Sequence, residues 1–405
     1  MRREHILVVS QYFYPENFRI NDICAEWVKK GYKVTVVTGI PNYPQGKFYN
    51  GYGWFKRRKE TWNGVDIIRI PLVSRGKSSI RLALNYFSFV ISGWFWKLFT
   101  RVKADIVFTF EVSPMTQALV GVWYAKRRKI PHYLYVQDLW PENVEIVTGI
   151  KSKAILNPIS KMVNSIYKRS DKIFATSPAF VTEIQKRVFD NKEKVVYWPQ
   201  YAEEFYTPTE KNLLVEIPEN DAFKIMFTGN VGQAQGLDIL PKTARILQDR
   251  RVNVQFVIIG DGRDKENLQK QIVENDVEKL FLLVDRQSAE RIPAFLAHAD
   301  MAFVSFMDNP LFENTLPAKL QSYMACGAPI LAAAKGETQR VIEEADCGVC
   351  SPIGDATALA DAIAECMKNP RLKEMGENAK KYSETHFNKQ ALLNQMDGYL
   401  QEEIV

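Results

Sequence analysis

HILVVSQYFYPENFRINDICAEWVKKGYKVTVVT, residues 5–38, is the stretch that decides the fold. His5 to Ser10 is an apolar run of the length of a buried strand, Ile20 to Lys30 reads as a helix ended by Gly31, and Lys33 to Thr38 is a second apolar run. Strand, helix and strand in that order form a βαβ unit. The two strands then lie parallel and the helix covers one face of the sheet.

The same alternation runs outward from this unit. Strands are expected at Val65 to Ile70, Asp105 to Phe110, Tyr133 to Gln137, Lys172 to Thr176 and Val195 to Trp198, with helical stretches between most of them. The rhythm lapses over Pro199 to Pro218, a proline-containing stretch rich in aromatic and acidic residues. It restarts at Lys224 to Thr228, near Asp221, and repeats at Asn253 to Gly260, Leu280 to Val284, Met301 to Ser305 and Ile330 to Ala333. From Ala356 the tail reads as helical, interrupted at Pro370 and again near Phe387-Asn388. At 405 residues the chain is too long for one compact core, so an α/β protein of two domains is expected.

Composition agrees with a packed enzyme, since 46% of residues are apolar and 25% charged. The net charge of +6 hides clusters at Lys56-Arg57-Arg58-Lys59, at Arg101 with Lys103, and at Lys126-Arg127-Arg128-Lys129. Each cluster alone reads as solvated surface, and no nucleic-acid partner is expected. The five cysteines are scattered; Cys347-Gly-Val-Cys350 has metal-pair spacing without a partner pair, so no metal site is expected. No apolar leader with a small-residue cleavage site precedes the first strand, which points to the cytoplasm. Leu82 to Trp96 is uncharged and aromatic but shorter than the ~20 residues that span a bilayer. Flanked by Arg81, Lys97, Arg101 and Lys103, it has two readings: a helix lying in lipid headgroups, or a helix packed on the first sheet.

Open parallel sheets bind ligands beyond the carboxyl ends of their strands, and five such junctions stand out. After the first strand, Glu16, Asn17 and Arg19 bring polar groups to a helix start, with capping by Asn17 as the plain alternative. Asp138-Leu-Trp140-Pro141 sets a carboxylate beside an indole; its alternative is a helix cap at Asp138. Thr228-Gly229-Asn230-Val-Gly232-Gln-Ala-Gln235-Gly236 and Gly260-Asp261-Gly262 are glycine turns suited to close phosphate approach, and Arg286 follows the next strand. The fifth junction is Asn314-Thr315-Leu316-Pro317-Ala318-Lys319 running to Gly327. Lys319 in a first helical turn is misplaced for the helix dipole unless an anion sits there, as a nucleotide diphosphate would.

Together these segments resemble the retaining glycosyltransferases of family 4, with the GT-B fold of two Rossmann-like domains. The resemblance is strongest in Gly260-Asp261-Gly262 and in Lys319 to Pro329. Through Ser10 to Arg19, Asp138 to Glu142 and Gly229 to Gly236, the chain is most similar to the surface-polysaccharide branch that includes N-acetyl-L-fucosamine transferases. The resemblance implies an acceptor-binding domain over residues 1–200, a nucleotide-sugar-binding domain over 201–385, and a helix over 386–405 packing on the first domain.

It also implies a UDP-sugar donor, a polyprenyl-diphosphate-linked saccharide as acceptor, no metal or other cofactor, and peripheral attachment to the inner membrane face through Arg81 to Lys103. Lys319, Arg286 and Asp138 are then the catalytic candidates. Asn230, Gly232, Gln235, Gly260, Thr315, Leu316, Ala318, Gln321, Ser322 and Glu337 are donor-binding candidates, and Glu16, Asn17, Arg19 and Trp140 lie on the acceptor side. The family's two glutamates, with seven residues between them, fall here on Asn314 and Ser322; Glu313, Gln321 and Glu337 are the substitutes. A UDP-sugar 2-epimerase on the same fold, and a non-catalytic partner in polysaccharide assembly, are the alternatives.

Overall fold

The computed structural model describes residues 4–76, 78–188 and 191–404. Its contacts group into two units: residues up to Trp198 together with those from Leu393, and Pro199–Leu392.

The first unit is built on one eight-stranded sheet. Its strands are β1 His5–Val9, β2 Lys33–Thr38, β3 Lys59–Trp62, β4 Val65–Arg69, β5 Ile106–Glu111, β6 His132–Val136, β7 Lys172–Ala175 and β8 Val195–Tyr197. They lie in the order β3-β4-β2-β1-β5-β6-β7-β8. Every pair is parallel except β3 with β4, an antiparallel edge turned through Asn63 and Gly64. The sequence rhythm gave no sign of β3, because Lys-Glu-Thr-Trp is polar and half exposed, and Lys59 was counted with a solvated basic patch. That patch is partly structural: Arg58 Nε donates to the Arg69 carbonyl at 2.5 Å.

Helices α1 Arg19–Lys29, α2 Ser79–Phe99, α3 Ala118–Arg128, α4 Glu142–Thr148, α5 Lys153–Arg169 and α6 Pro178–Gln185 cover the sheet. The helix α2 packs on the first unit along one face and leaves an apolar face exposed along the other. Asn85, Phe89 and Gly93, spaced four apart, face inward. A Cβ on Gly93 would lie 2.3 Å from the Val120 side chain, so Val120 of α3 packs directly on the α2 backbone. Trp96 stacks on Tyr124 at 5.5 Å, which assigns it to packing rather than to a lipid surface. The other face leaves Phe87, Ile91, Trp94, Phe95 and Phe99 in solvent, Phe99 at 79% exposure. Among the described residues no helix is long and apolar enough to cross a membrane.

The second unit holds a six-stranded parallel sheet: β9 Phe223–Asn230, β10 Val254–Asp261, β11 Phe281–Val284, β12 Met301–Ser305, β13 Ile330–Ala333 and β14 Gly348–Ser351, ordered β11-β10-β9-β12-β13-β14. The strand β14 was hidden in the sequence by Cys347-Gly-Val-Cys350; these thiols are free, and Cys347 is buried beneath the sheet edge. Helices α7 Ile239–Asp249, α8 Lys265–Glu274, α9 Ile292–Leu296, α10 Pro310–Glu313, α11 Ala318–Ala325, α12 Glu337–Glu344, α13 Ala356–Cys366 and α14 Leu372–His386 cover it. The final helix, α15 Lys389–Ile404, passes into the first unit at Leu393. There Tyr399 packs on Phe174 at 5.4 Å and its carbonyl accepts from the Tyr133 hydroxyl at 2.7 Å.

Candidate functional site

Strand order reverses between β9 and β12 in the second unit, and that reversal opens a crevice at the strand ends. The loop after β9 is fastened across it: the Ser305 hydroxyl donates to the Gln235 carbonyl at 2.5 Å, and the Met307 amide donates to the Ala234 carbonyl at 3.1 Å. The helix α11 starts on the same edge, capped by Pro317, which supplies no side-chain partner for the first amides. Lys319 is its second residue. The ammonium donates to Gln235 Oε1 and stands 3.9 Å from the centre of the Phe227 ring. Burial pulls its pKa from 10.5 down to about 7, because a neutral amide and a ring replace water poorly around a cation. No carboxylate among the described residues is paired with it. A desolvated cation at a helix start is therefore available to an incoming anion.

Asn230, Gly232 and Gln235 share this edge with Lys319, and Arg286 lies exposed just past β11, two strands from β9. Other donor-side candidates are engaged in the fold. Leu316 is core, 5% exposed, and offers a ligand only its backbone. The Ser322 hydroxyl donates to the Ala318 carbonyl one turn back at 3.1 Å, which explains why it needs no partner of acidic kind. The Thr315 hydroxyl is likewise turned to the Leu311 carbonyl at 3.2 Å, and Glu337 is held by Arg340 at 2.9 Å. Gln321 is 1% exposed and its amide finds no hydrogen bond, while Ala318 is half-buried at the helix start.

Gly260 is required by packing whatever it does toward a ligand. It pairs with Gly229 across β10 and β9 at φ +152°, where a Cβ would fall 1.9 Å from the Gly229 carbonyl oxygen. Gly260→Ala must push the two strands apart, and a loss of ~3 kcal/mol is expected from that strain. A thermal melt reads it; an unchanged melting temperature contradicts the packing account.

The first unit has its own reversal, between β1 and β5. The loops that follow these strands are tied by the Gln11 amide donating to Gln117 Oε1 at 2.6 Å. Asp138, past the end of β6, is not a helix cap: its carboxylate accepts from the Ser113 amide at 2.7 Å, and α4 begins only at Glu142. The Ser113 hydroxyl in turn accepts from Trp140 Nε1 at 3.1 Å and Asn143 Nδ2 at 2.7 Å. Burial raises the Asp138 pKa, against hydrogen bonds from Ser113 that lower it. Glu111, at the end of β5, is enclosed beside it, and burial followed by the Asp138 charge holds its carboxyl well above the usual range. Two neighbouring carboxyls with upward shifts share this corner.

Glu16 is 2% exposed and clamps the loop after β2 by accepting from the Asn42 amide at 2.7 Å and the Tyr43 amide at 2.6 Å. Burial pushes it up to about 7. It shapes the site from behind, and Asn17 beside it is exposed; the cap of α1 is Phe18, not Asn17. Arg19 opens α1; burial holds the Tyr135 hydroxyl well above its usual range, and the Arg19 charge offsets that only in part. Arg75 and Glu111 had no signal in the sequence beyond a charge in a loop and a charge ending an apolar strand. Arg75 donates to the Tyr12 hydroxyl at 3.0 Å and lies 5.2 Å from the centre of the Tyr43 ring.

Comparison with known proteins matches both units. Residues 17–199 match the model of the glycosyl transferase 4-like domain, and residues 211–382 that of glycosyl transferases group 1. The chain is 25% identical over 416 residues to the putative colanic acid biosynthesis glycosyl transferase WcaI of Escherichia coli (strain K12), covering 96% of this chain and 98% of that one. Among solved structures, sucrose-phosphate synthase from Thermosynechococcus elongatus aligns with a TM-score of 0.77 at 16% identity, over 99% of both chains. Anabaena HepE, in complex with UDP and glucose, aligns with a TM-score of 0.71 at 14% identity, over 99% of this chain and 100% of that one. These likenesses in structure bear on the fold.

Proposed function

Because the chain belongs to the GT-B glycosyltransferases that join a 4-like domain to a group 1 domain, we propose that it transfers sugar from a UDP-sugar to a polyprenyl-diphosphate-linked saccharide, retaining anomeric configuration, in surface polysaccharide assembly. The observation that carries this reading is Lys319, a half-buried cation without a carboxylate partner among the described residues, at the start of α11. The UDP seen with HepE and the colanic acid role in the name of WcaI support the donor and pathway class. In this reading Lys319, Arg286 and the first amides of α11 neutralise the departing diphosphate, the part a metal ion plays in other transferases. Asp138 orients the acceptor or the sugar. The donor sugar proposed is an N-acetylated deoxy-hexosamine.

Incubating the protein with a panel of UDP-sugars and a lipid-linked saccharide, and resolving the product by mass and by anomeric coupling constant, tests the reading. One donor giving a product with that donor's own anomeric configuration supports it. Folded protein that transfers no sugar from a broad panel sinks it, and isomerised UDP-sugar formed without acceptor makes it an epimerase.

We also place the protein on the cytoplasmic membrane surface through the outer face of α2. Trp94, Phe95 and Phe99 are exposed there, and Lys97 stands close to Lys126 and Arg127, whose charges together with burial lower its pKa. Cations beside exposed aromatic side chains suit anionic headgroups. Replacing Trp94, Phe95 and Phe99 with Ser is expected to cut binding to anionic liposomes about tenfold or more while leaving neutral-liposome binding weak. Cosedimentation equal to that of the parent protein rejects this assignment.

A further inference from the structure

Beside the Asp138 corner the first unit carries a groove of about 430 Å³, between α2, α4 and α5, that no step above uses. Its walls are Leu82, Phe87, Val144, Ile155, Ile159 and Met162, and no charged residue lines it. Ligand sites of a few hundred Å³ lined in this way take apolar molecules. The polar groups that line it, Ser113, Thr116, Trp140 and Asn143, include the hydrogen-bonded set that holds Asp138. Tyr86 also lines the groove and hydrogen-bonds with Tyr12, to whose hydroxyl Arg75 donates at 3.0 Å. No carboxylate among the described residues forms an ion pair with Arg75. Phe87 continues from the groove to the exposed apolar face of α2, where it is 62% exposed.

An apolar channel, a cation at its polar end and an open apolar flank describe the complement of an anionic amphiphile with a long chain. We propose that the groove holds the prenyl chain of the lipid-linked acceptor, with its phosphate beside Arg75 and the saccharide beyond it at Asp138. The proposal rests on the transferase reading for the identity of the acceptor, but not for the binding itself. It makes the chain, and not only the saccharide, a recognised part of the substrate. Burial of the chain contributes in proportion to its length, so a truncated acceptor binds far more weakly than the natural one.

The test uses a benzophenone-tagged farnesyl phosphate and its uncharged farnesol counterpart, cross-linked to the full-length protein without donor and mapped by peptide mass. Labelling within residues 79–87 or 150–162 is expected. It should fall about tenfold or more in Ala83→Trp and in Ile155→Glu, both solvent-exposed positions on the groove's rim where substitution leaves the melting temperature unchanged. Arg75→Gln should weaken labelling by the phosphate and spare that by farnesol. Labelling confined to residues 91–99, labelling unchanged in both groove variants, or competition by phospholipid as effective as by prenyl phosphate overturns the proposal. If labelling follows the groove while no UDP-sugar is used, the transferase reading fails and the groove stands. If transfer proceeds equally well to short-chain and long-chain acceptors in both variants, the groove fails and the transferase reading stands.

Discussion

Lys319→Met is expected to raise the melting temperature of the ligand-free protein at pH 6 while weakening UDP binding by about 100-fold and transfer by about 10²–10³. The two halves of that result have one cause. Burial lowers the Lys319 pKa from 10.5 to about 7, so the folded protein gives up a proton that the unfolded chain keeps until pH 10.5. Stability therefore rises with pH across the window from about 7 to 10.5, and the full cost of the buried charge is felt below about 7. At about 1.4 kcal/mol per decade that cost is at most ~5 kcal/mol. Losing the Gln235 hydrogen bond and the contact with the Phe227 ring offsets part of it, which leaves a net gain of ~2 kcal/mol for methionine at pH 6.

The cost is recovered when a diphosphate arrives. An anion beside the ammonium restores its affinity for a proton, so UDP binding at pH 8 must take up part of a proton from buffer. Titration calorimetry in two buffers of different ionisation enthalpy reads that uptake directly. Binding heats that do not depend on buffer, together with UDP affinity in Lys319→Met within about threefold of the parent, would show that Lys319 is not at the diphosphate.

Asp138→Asn is expected to lower kcat by about 10²–10⁴ and leave UDP affinity unchanged. Asparagine has nearly the shape of aspartate, and its amide oxygen can accept the Ser113 N–H that fixes the side chain at 2.7 Å. What disappears is the negative charge and one oxygen able to accept from a sugar or acceptor hydroxyl. The loss then belongs to chemistry or acceptor orientation rather than to folding. Ser113→Ala is the intermediate case: it keeps the Asp138 charge and the backbone amide that holds it, but removes the hydroxyl that hydrogen-bonds Asp138 and that Trp140 and Asn143 share, so a smaller effect, about tenfold, is expected. A kcat for Asp138→Asn within about threefold of the parent excludes Asp138 from the reacting end of the site.

The sequence carried most of the strands because buried parallel strands are continuous apolar runs. Met301 to Ser305 and Ile330 to Ala333 were legible to the residue. What escaped was whatever lacked that signature: β3 is polar and antiparallel, and β14 interrupts its apolar run with a glycine and two thiols. Lys319 was legible because a cation at a helix start is out of place on local grounds alone. Its neutral surroundings were not, since Phe227 and Gln235 come from the loop and strand some 90 positions earlier, with Gln235 84 residues away. Glu16 looked like a ligand for sugar because nothing local shows that the amides of Asn42 and Tyr43 claim it from 26 and 27 residues downstream. Arg75 drew no attention, because a lone arginine in a loop gains meaning only from Tyr12 and Tyr43 around it.

The outer face of α2 has a consequence at the bench. Phe95 and Phe99, 52% and 79% exposed, form with their neighbours a patch that water does not tolerate well at high protein concentration. In plain buffer such molecules cover the patch with one another, so the apparent mass on gel filtration should grow with concentration and collapse when a mild detergent is added. An oligomer measured in plain buffer then reports the colloidal behaviour of one helix rather than a specific assembly.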